Sequence, residues 1–126
     1  MPNKTDKRKL GDLAEDKVVE YVKQKKWKVL CRNFEKPWGE IDIVARDKKT
    51  VVFIEVKASD VASSPDFSPE DHFDHNKKEK VIRTSHSYLV ENKYAEDVDY
   101  RIDLAAVEID LKLKVARIRY YKNAIG

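Results

Sequence analysis

Two short apolar runs lie back to back in the middle of this chain. They are Glu40-Ile41-Asp42-Ile43-Val44-Ala45-Arg46 and Val51-Val52-Phe53-Ile54-Glu55-Val56-Lys57, separated by Asp47-Lys48-Lys49-Thr50. Runs of this length, rich in Ile, Val and Phe and joined by a polar turn, read as a β-hairpin. Side chains alternate between the faces of a strand. In the first strand Ile41, Ile43 and Ala45 therefore share one face, and Glu40, Asp42 and Val44 the other. In the second, Val52, Ile54 and Val56 oppose Val51, Phe53, Glu55 and Lys57.

The hydrophobic period changes on either side of the hairpin. From Thr5 to Lys26 the residues Leu10, Leu13, Ala14, Val18, Tyr21 and Val22 recur at helical spacing, which predicts one amphipathic helix. Trp27 to Asn33 reads as a strand and Pro37-Trp38-Gly39 as a turn. Ala58 to Phe73, with its serines, prolines and aspartates, reads as a long loop. Asp74 to Asn92 is a second helix carrying Val81, Ile82, Tyr88 and Leu89. Tyr100 to Asp110 and Leu113 to Tyr121 are two more strands. The predicted order, α-β-β-β-α-β-β, is that of a mixed α/β fold whose central sheet of about five strands has helices packed on it. A chain of 126 residues suits a single domain, 1–126.

Composition excludes more than it selects. The 26 basic and 23 acidic residues leave a formal charge of only +3, so distribution matters more than the total. Basic residues gather at Lys7-Arg8-Lys9, between Lys23 and Lys28, at Lys77, Lys78 and Lys80, and between Lys112 and Lys122. Acid gathers between Asp60 and Asp74 and between Glu91 and Asp99. Such segregation can give a nearly neutral protein a basic face, although a wet helix surface is the simpler reading of any one lysine. Cys31 is the only cysteine, so neither an internal disulfide nor a thiolate zinc site can form. No apolar run is long enough to span a membrane, and Met1 to Lys9 lack the apolar stretch of a signal peptide. A cytoplasmic, reduced setting is the expectation. Three glycines are too few for a Gly-rich phosphate loop.

The charged residues of the hairpin carry the chemistry. Glu55 and Lys57 are neighbours on one face at the end of an otherwise apolar strand, and the hairpin can bring Asp42 beside them. Two carboxylates that close repel unless a cation lies between them. Oxygen ligands of this kind suit Mg²⁺, held by one or two carboxylates plus water and phosphate. A lysine two residues on adds a positive donor for a reacting phosphate. An isolated Glu-x-Lys is more simply a surface salt bridge of little value, but Asp42 makes a third charge interrupting two apolar strands. On the first helix Glu15 lies in line with Val18, Val19 and Val22. It reads equally as a further acid for the metal or as a stripe-edge residue with its head in water. On the second helix Lys77 shares a line with Val81, Thr84 and Tyr88 and can reach a backbone phosphate. Lys78 and Lys80 are candidate nucleic-acid contacts beside it. Arg101 and Asp103 read as structural, His72, His75 and His86 as ordinary polar residues, and Trp27 and Trp38 as packing residues rather than base-stacking platforms.

At these residues the chain resembles the YraN-like proteins, small bacterial members of the PD-(D/E)xK nuclease superfamily that are similar to archaeal Holliday junction resolvases. The resemblance runs from Gly11 to Glu15, through Leu30 to Asn33, Gly39-Glu40-Ile41-Asp42-Ile43-Val44-Ala45 and Val52-Phe53-Ile54-Glu55-Val56-Lys57, to Lys77 with Tyr88, Arg101-Ile102-Asp103 and Asn123-Ala124. It implies a restriction-endonuclease-like fold. It also implies that Asp42 and Glu55 hold Mg²⁺ or Mn²⁺, that Lys57 acts beside the attacking water and that Glu15 is the first-helix acid, with Glu40 behind them. The segment Lys57-Ala58-Ser59-Asp60 lacks the arginine the family usually carries there. The function expected is metal-dependent hydrolysis of phosphodiester bonds in DNA, branched or damaged DNA included, with Asp42, Glu55 and Glu15 as the metal-binding residues. The alternatives are a non-catalytic nucleic-acid-binding or adaptor protein that keeps the fold, and an assembly factor working through protein partners. A homodimer is compatible with any of these, since two-fold substrates suit two-fold proteins.

Overall fold

The order of elements read from the sequence is the order of the fold. The computed structural model describes residues 4–60 and 74–125, with side chains from Arg8 onward. The chain runs α1 (Lys4–Gln24), β1 (Lys28–Lys36), β2 (Gly39–Asp47), β3 (Thr50–Asp60), α2 (His75–Glu91), β4 (Tyr100–Asp110) and β5 (Val115–Tyr121). The strands form one mixed sheet in the order β1-β2-β3-β4-β5, matching a restriction-endonuclease-like α/β fold. β2 and β3 are antiparallel, with Asp47 opposite Thr50. β3 and β4 run parallel from Val51↔Tyr100 to Asp60↔Ile109. Parallel neighbours need a crossover, and the connection containing α2 supplies it.

The two helices cover opposite faces. Val52 and Ile54 pack with Ala14, Val18 and Val22 of α1. Val51 and Phe53 pack with Val81, Tyr88 and Leu89 of α2. This is the alternation expected along β3, and burial on both faces explains why the strand is apolar on both. Each Val, Ile, Leu or Phe side chain among these, taken wholly out of water, contributes roughly 1.5–3 kcal/mol. Among the described residues no helix is long and apolar enough to cross a membrane.

The boundaries differ from expectation for local reasons. Trp27 ends α1 instead of starting β1. Its N–H donates to the Val22 carbonyl at 3.1 Å, with Lys26 at φ 68° in the left-handed position a helix end requires, and its indole enters the α1-side core. Leu13, expected in the stripe, is 38% exposed because it lies off the line of Ala14, Val18 and Val22. β1 runs past Asn33 to Lys36, since Phe34 pairs opposite Ile41 and meets the Tyr88 ring edge-on at 5.2 Å. β3 runs to Asp60 because β4 continues beside it. The loop expected from Ala58 therefore starts later, and its remainder, 61–73, lies outside the described residues. β5 starts at Val115, because the Asp110 carboxylate accepts from the N–H groups of Lys112 and Leu113, at 3.0 Å each, and makes them a turn.

Arg101 and Asp103 are structural. Asp103 is fully buried on β4. It accepts from Arg101 Nε at 3.1 Å, the Tyr120 hydroxyl at 2.6 Å and the Asn123 N–H at 2.8 Å. Arg101 also donates to Asp47 at 3.2 Å and lies over the Trp27 ring, 5.0 Å from its centroid. Burial, reinforced by the Asp103 charge and hydrogen bond, pushes the Tyr120 phenol far above its usual range. Asp103→Ala leaves these donors without an acceptor and Arg101 without its buried partner. It is expected to cost about 3–5 kcal/mol, measured by urea unfolding, with Asp103→Asn costing less because it keeps the shape and one acceptor.

Candidate active site

The β2–β3 ladder stops at Ile43↔Ile54. The next residues in register are Asp42 and Glu55, and there the strands part. The Val56 N–H donates at 2.8 Å to Asp42 Oδ2, a side-chain acceptor. Strand alternation also breaks. Ile43 packs on the α1 side, but Ile41 joins Phe34 and Val44 on the α2 side, so the expectation that Ile41 and Ile43 share a face is corrected. On β1, Asn33 has φ 55°, a conformation that Asn tolerates better than most residues. Arg32 and Asn33 in consequence both reach toward α1 while Phe34 turns to α2. These breaks bring Asp42 to a rim where it lines clefts on both sides.

The α2-side cleft, of ≈ 290 Å³, is lined by Glu40, Asp42, Glu55, Lys57, Lys77 and Lys80, among others. Glu55 is 7% exposed. Burial pushes its carboxyl up to about 8, the Asp42 charge adds to that, and Lys57 and Lys77 pull the other way. Burial also raises Asp42, to about 7, with the Val56 N–H opposing and a hydrogen bond to Glu40 and the charges of Glu40 and Glu15 adding to it. Lys77 is lowered to about 8 by burial and by the hydrogen bond and charge of Lys57, against the attraction of Glu55 and Asp42. Two carboxyls and two amines thus converge in one partly desolvated cleft. Lys78, one position along α2, does not line it.

Glu15 belongs to the neighbouring cleft of ≈ 560 Å³ beneath α1, with Arg8, Asp12, Asn33, Glu35 and Asp42. It is 8% exposed, so its head is not in open water. Oε1 accepts from Arg32 Nε at 2.9 Å and Asn33 Nδ2 at 3.2 Å. Arg32 and Asn33 lie in the Leu30 to Asn33 stretch of the resemblance, but neither is a site residue by sequence alone; an Asn suited to positive φ is the local signal there. Gly39 was read as a turn residue, yet it also lets β2 approach α2: a Cβ there would stand 2.5 Å from Thr84 Oγ1.

Among the described residues no three His, Cys, Asp or Glu side chains converge closely enough to hold a metal ion by themselves. Glu15, expected as a further ligand, lies in the neighbouring cleft held by Arg32 and Asn33. Asp42 and Glu55 are the carboxyls of the α2-side cleft whose mutual repulsion and desolvation a divalent cation would relieve. That number of carboxylates fits Mg²⁺, which keeps waters and takes phosphate oxygens, and not an all-protein cage.

The raised carboxyls have a consequence for stability. A carboxyl whose folded pKa exceeds its unfolded value holds its proton more tightly when folded, so stability falls as pH rises from the unfolded pKa to the folded one. For Glu55 that window runs from 4.5 to about 8. Lys77 works the other way, but only between about 8 and 10.5. In chelator the wild-type protein is expected to lose stability between pH 5 and pH 8. Glu55→Gln should lose distinctly less, as read from urea midpoints across that range.

A model of the family described as "Uncharacterised protein family UPF0102" matches residues 14–107. That span takes in Glu15, Asp42, Glu55, Lys57 and Lys77. The chain is 34% identical over 119 residues to a UPF0102 protein of Caldicellulosiruptor saccharolyticus, covering 94% of this chain and 98% of the other. It is 41% identical over 80 residues to a UPF0102 protein of Persephonella marina, covering 64% and 67%. It is 32% identical over 117 residues to a UPF0102 protein of Alkaliphilus oremlandii, covering 93% and 97%. The fold, the residues at the strand divergence and these matches along most of the chain agree that it belongs to the uncharacterised protein family UPF0102.

Proposed function

We propose that this protein is a metal-dependent nuclease of the PD-(D/E)xK superfamily, akin to archaeal Holliday junction resolvases, hydrolysing phosphodiester bonds in DNA, branched or damaged DNA included. The observation that carries the reading is the convergence of Asp42, Glu55, Lys57 and Lys77 on one cleft where β2 and β3 part. A salt bridge alone does not explain it. Burial and the Asp42 charge raise Glu55 despite Lys57 and Lys77, and burial raises Asp42 beside it.

Asp42 and Glu55 are the residues that would hold Mg²⁺ or Mn²⁺. Bound there, the ion would polarise the phosphoryl oxygen and ease ionisation of water. The Val56 N–H fixes which way Asp42 faces, and Glu40 hydrogen-bonds it from the other side. Glu15, clamped by Arg32, adds negative charge on the α1 side, where it can hold water against Asp42. Lys57 orients the attacking water and offsets charge as it builds on the phosphate. Lys77 donates to a non-bridging oxygen, with Lys80 outside it. Burial and the neighbouring Lys57 lower Lys77 to about 8, which brings it within reach of proton exchange near neutral pH.

The test is cleavage of labelled linear, branched and single-stranded DNA with Mg²⁺ or Mn²⁺. Asp42→Ala and Glu55→Ala should reduce cleavage to background with unchanged circular dichroism. Lys57→Ala should lower the rate by about 10²–10⁴, and Glu15→Gln by about 10–100-fold. A wild-type protein that cuts none of these substrates with either metal would overturn the proposal. DNA binding that survived in such a protein, salt-sensitive but unaffected by metal, would favour a non-catalytic binding role.

A further inference from the structure

The basic side of the cleft continues beyond Lys80. One turn further along α2 the Arg83 guanidinium lies over the Trp38 ring, 4.3 Å from its centroid. Trp38 belongs to the turn between β1 and β2, next to Gly39. That turn is seated on α2: a Cβ at Gly39 would stand 2.5 Å from Thr84 Oγ1 and 3.4 Å from the Lys80 carbonyl oxygen. Among the described residues the buried Trp38 Nε1 has no hydrogen-bond partner, so this edge of the ring is wedged against protein. Arg83 itself is exposed.

Among the described residues Arg83, Arg46 and Arg117 lack an ion pair near the sheet, and of these three Arg83 alone lies over an aromatic ring. Arg32, Arg101 and Arg119 each pair with a carboxylate. Among the described residues Arg83 has no carboxylate within ion-pair distance. An arginine braced on an aromatic ring keeps its planar fork of donors oriented, and one without an acidic partner keeps it open to an incoming anion. Lys77, Lys80 and Arg83 follow one another at three-residue intervals. At 1.5 Å per residue the row extends about 9 Å along the helix. A nucleic-acid strand advances roughly 3.4 Å per nucleotide, so the row spans about two to three nucleotides.

We infer that Arg83, braced by Trp38, is a phosphate contact for the DNA strand, roughly two to three nucleotides from the bond held at Asp42 and Glu55. The row from Lys77 to Arg83 sets the direction in which that strand leaves the carboxylates. The inference rests on reading the cleft as a nuclease site, and it names where the strand lies and which residue positions it.

The test separates the two ideas. Binding of the full-length protein to short labelled single-stranded and duplex DNA is followed by fluorescence anisotropy in chelator, over a range of salt. Arg83→Ala should weaken binding about tenfold and lower the salt slope by about one. Arg83→Lys, which keeps the charge and loses the fork, should fall between Arg83→Ala and wild type. Arg117→Ala, an exposed arginine on β5 far along the sheet from β2, should bind like wild type. Thermal melts guard against misfolding. With metal present, Arg83→Ala should scatter the cleavage positions along a labelled strand. If Arg83→Ala matches wild type in affinity and salt slope, this inference fails, while loss of cleavage in Asp42→Ala would leave the nuclease reading standing. If binding depends on Arg83 but the wild-type protein cleaves nothing, the nuclease reading fails and the strand contact stands. If the wild-type protein binds no DNA of either kind, both fail.

Discussion

The site depends on one hydrogen bond. At the end of the β2–β3 ladder the Val56 N–H is taken by the Asp42 carboxylate, at 2.8 Å, where a continuous sheet would offer a main-chain carbonyl. A buried N–H must find an acceptor somewhere, and an acceptor on a side chain frees the strands to diverge. The Ile41–Ile43 break in alternation and the positive φ of Asn33 belong to the same adjustment. They carry Phe34 and Ile41 into the α2-side core and leave Arg32 and Asn33 for Glu15. Packing on both faces of β3 holds the divergence in place, since Val51, Val52, Phe53 and Ile54 are all fully buried.

Carboxylates buried in one sheet meet different fates. Asp103 is surrounded by donors from Arg101, Tyr120 and Asn123, and its charge is used to fasten β4 to β5 and the chain beyond. Glu15 is an intermediate case, with one oxygen clamped by Arg32 and Asn33. Asp42 accepts the Val56 N–H, and Glu55 faces the Asp42 charge in the same cleft. Burial of a charge costs heavily unless it is paired. The full satisfaction of Asp103 contrasts with the Asp42–Glu55 pair, which burial and mutual repulsion leave raised. That contrast is the main physical support for the metal reading, and it owes nothing to the family resemblance.

The electrostatics also give the site a direction. The α1-side cleft carries Asp12, Glu15, Glu35 and Glu40 around Asp42 with Arg8, and the α2-side cleft sets Lys57, Lys77 and Lys80 against Glu40, Asp42 and Glu55. A polyanion would meet less repulsion on the second side than on the first. The near-neutral total charge hides this division, which is why net charge said little about partners.

Much of this was legible in the residues alone. The element order, the hairpin, the helix ends at Asp74 and Asn92 and the faces of β3 all follow from local period, turn chemistry and capping, which depend on neighbours in sequence. The register that sets Asp42 opposite Glu55 follows from the same short turn. What only the tertiary structure decided are the features that join distant segments. These are the parting of the strands at Asp42, the clamp of Arg32 and Asn33 on Glu15, the exclusion of Lys78 from the cleft and the seating of Trp38 against Arg83. Strand alternation is a rule about successive residues. It gives no warning where a side-chain acceptor or a left-handed residue breaks the period, because the compensation comes from elements far away in the chain.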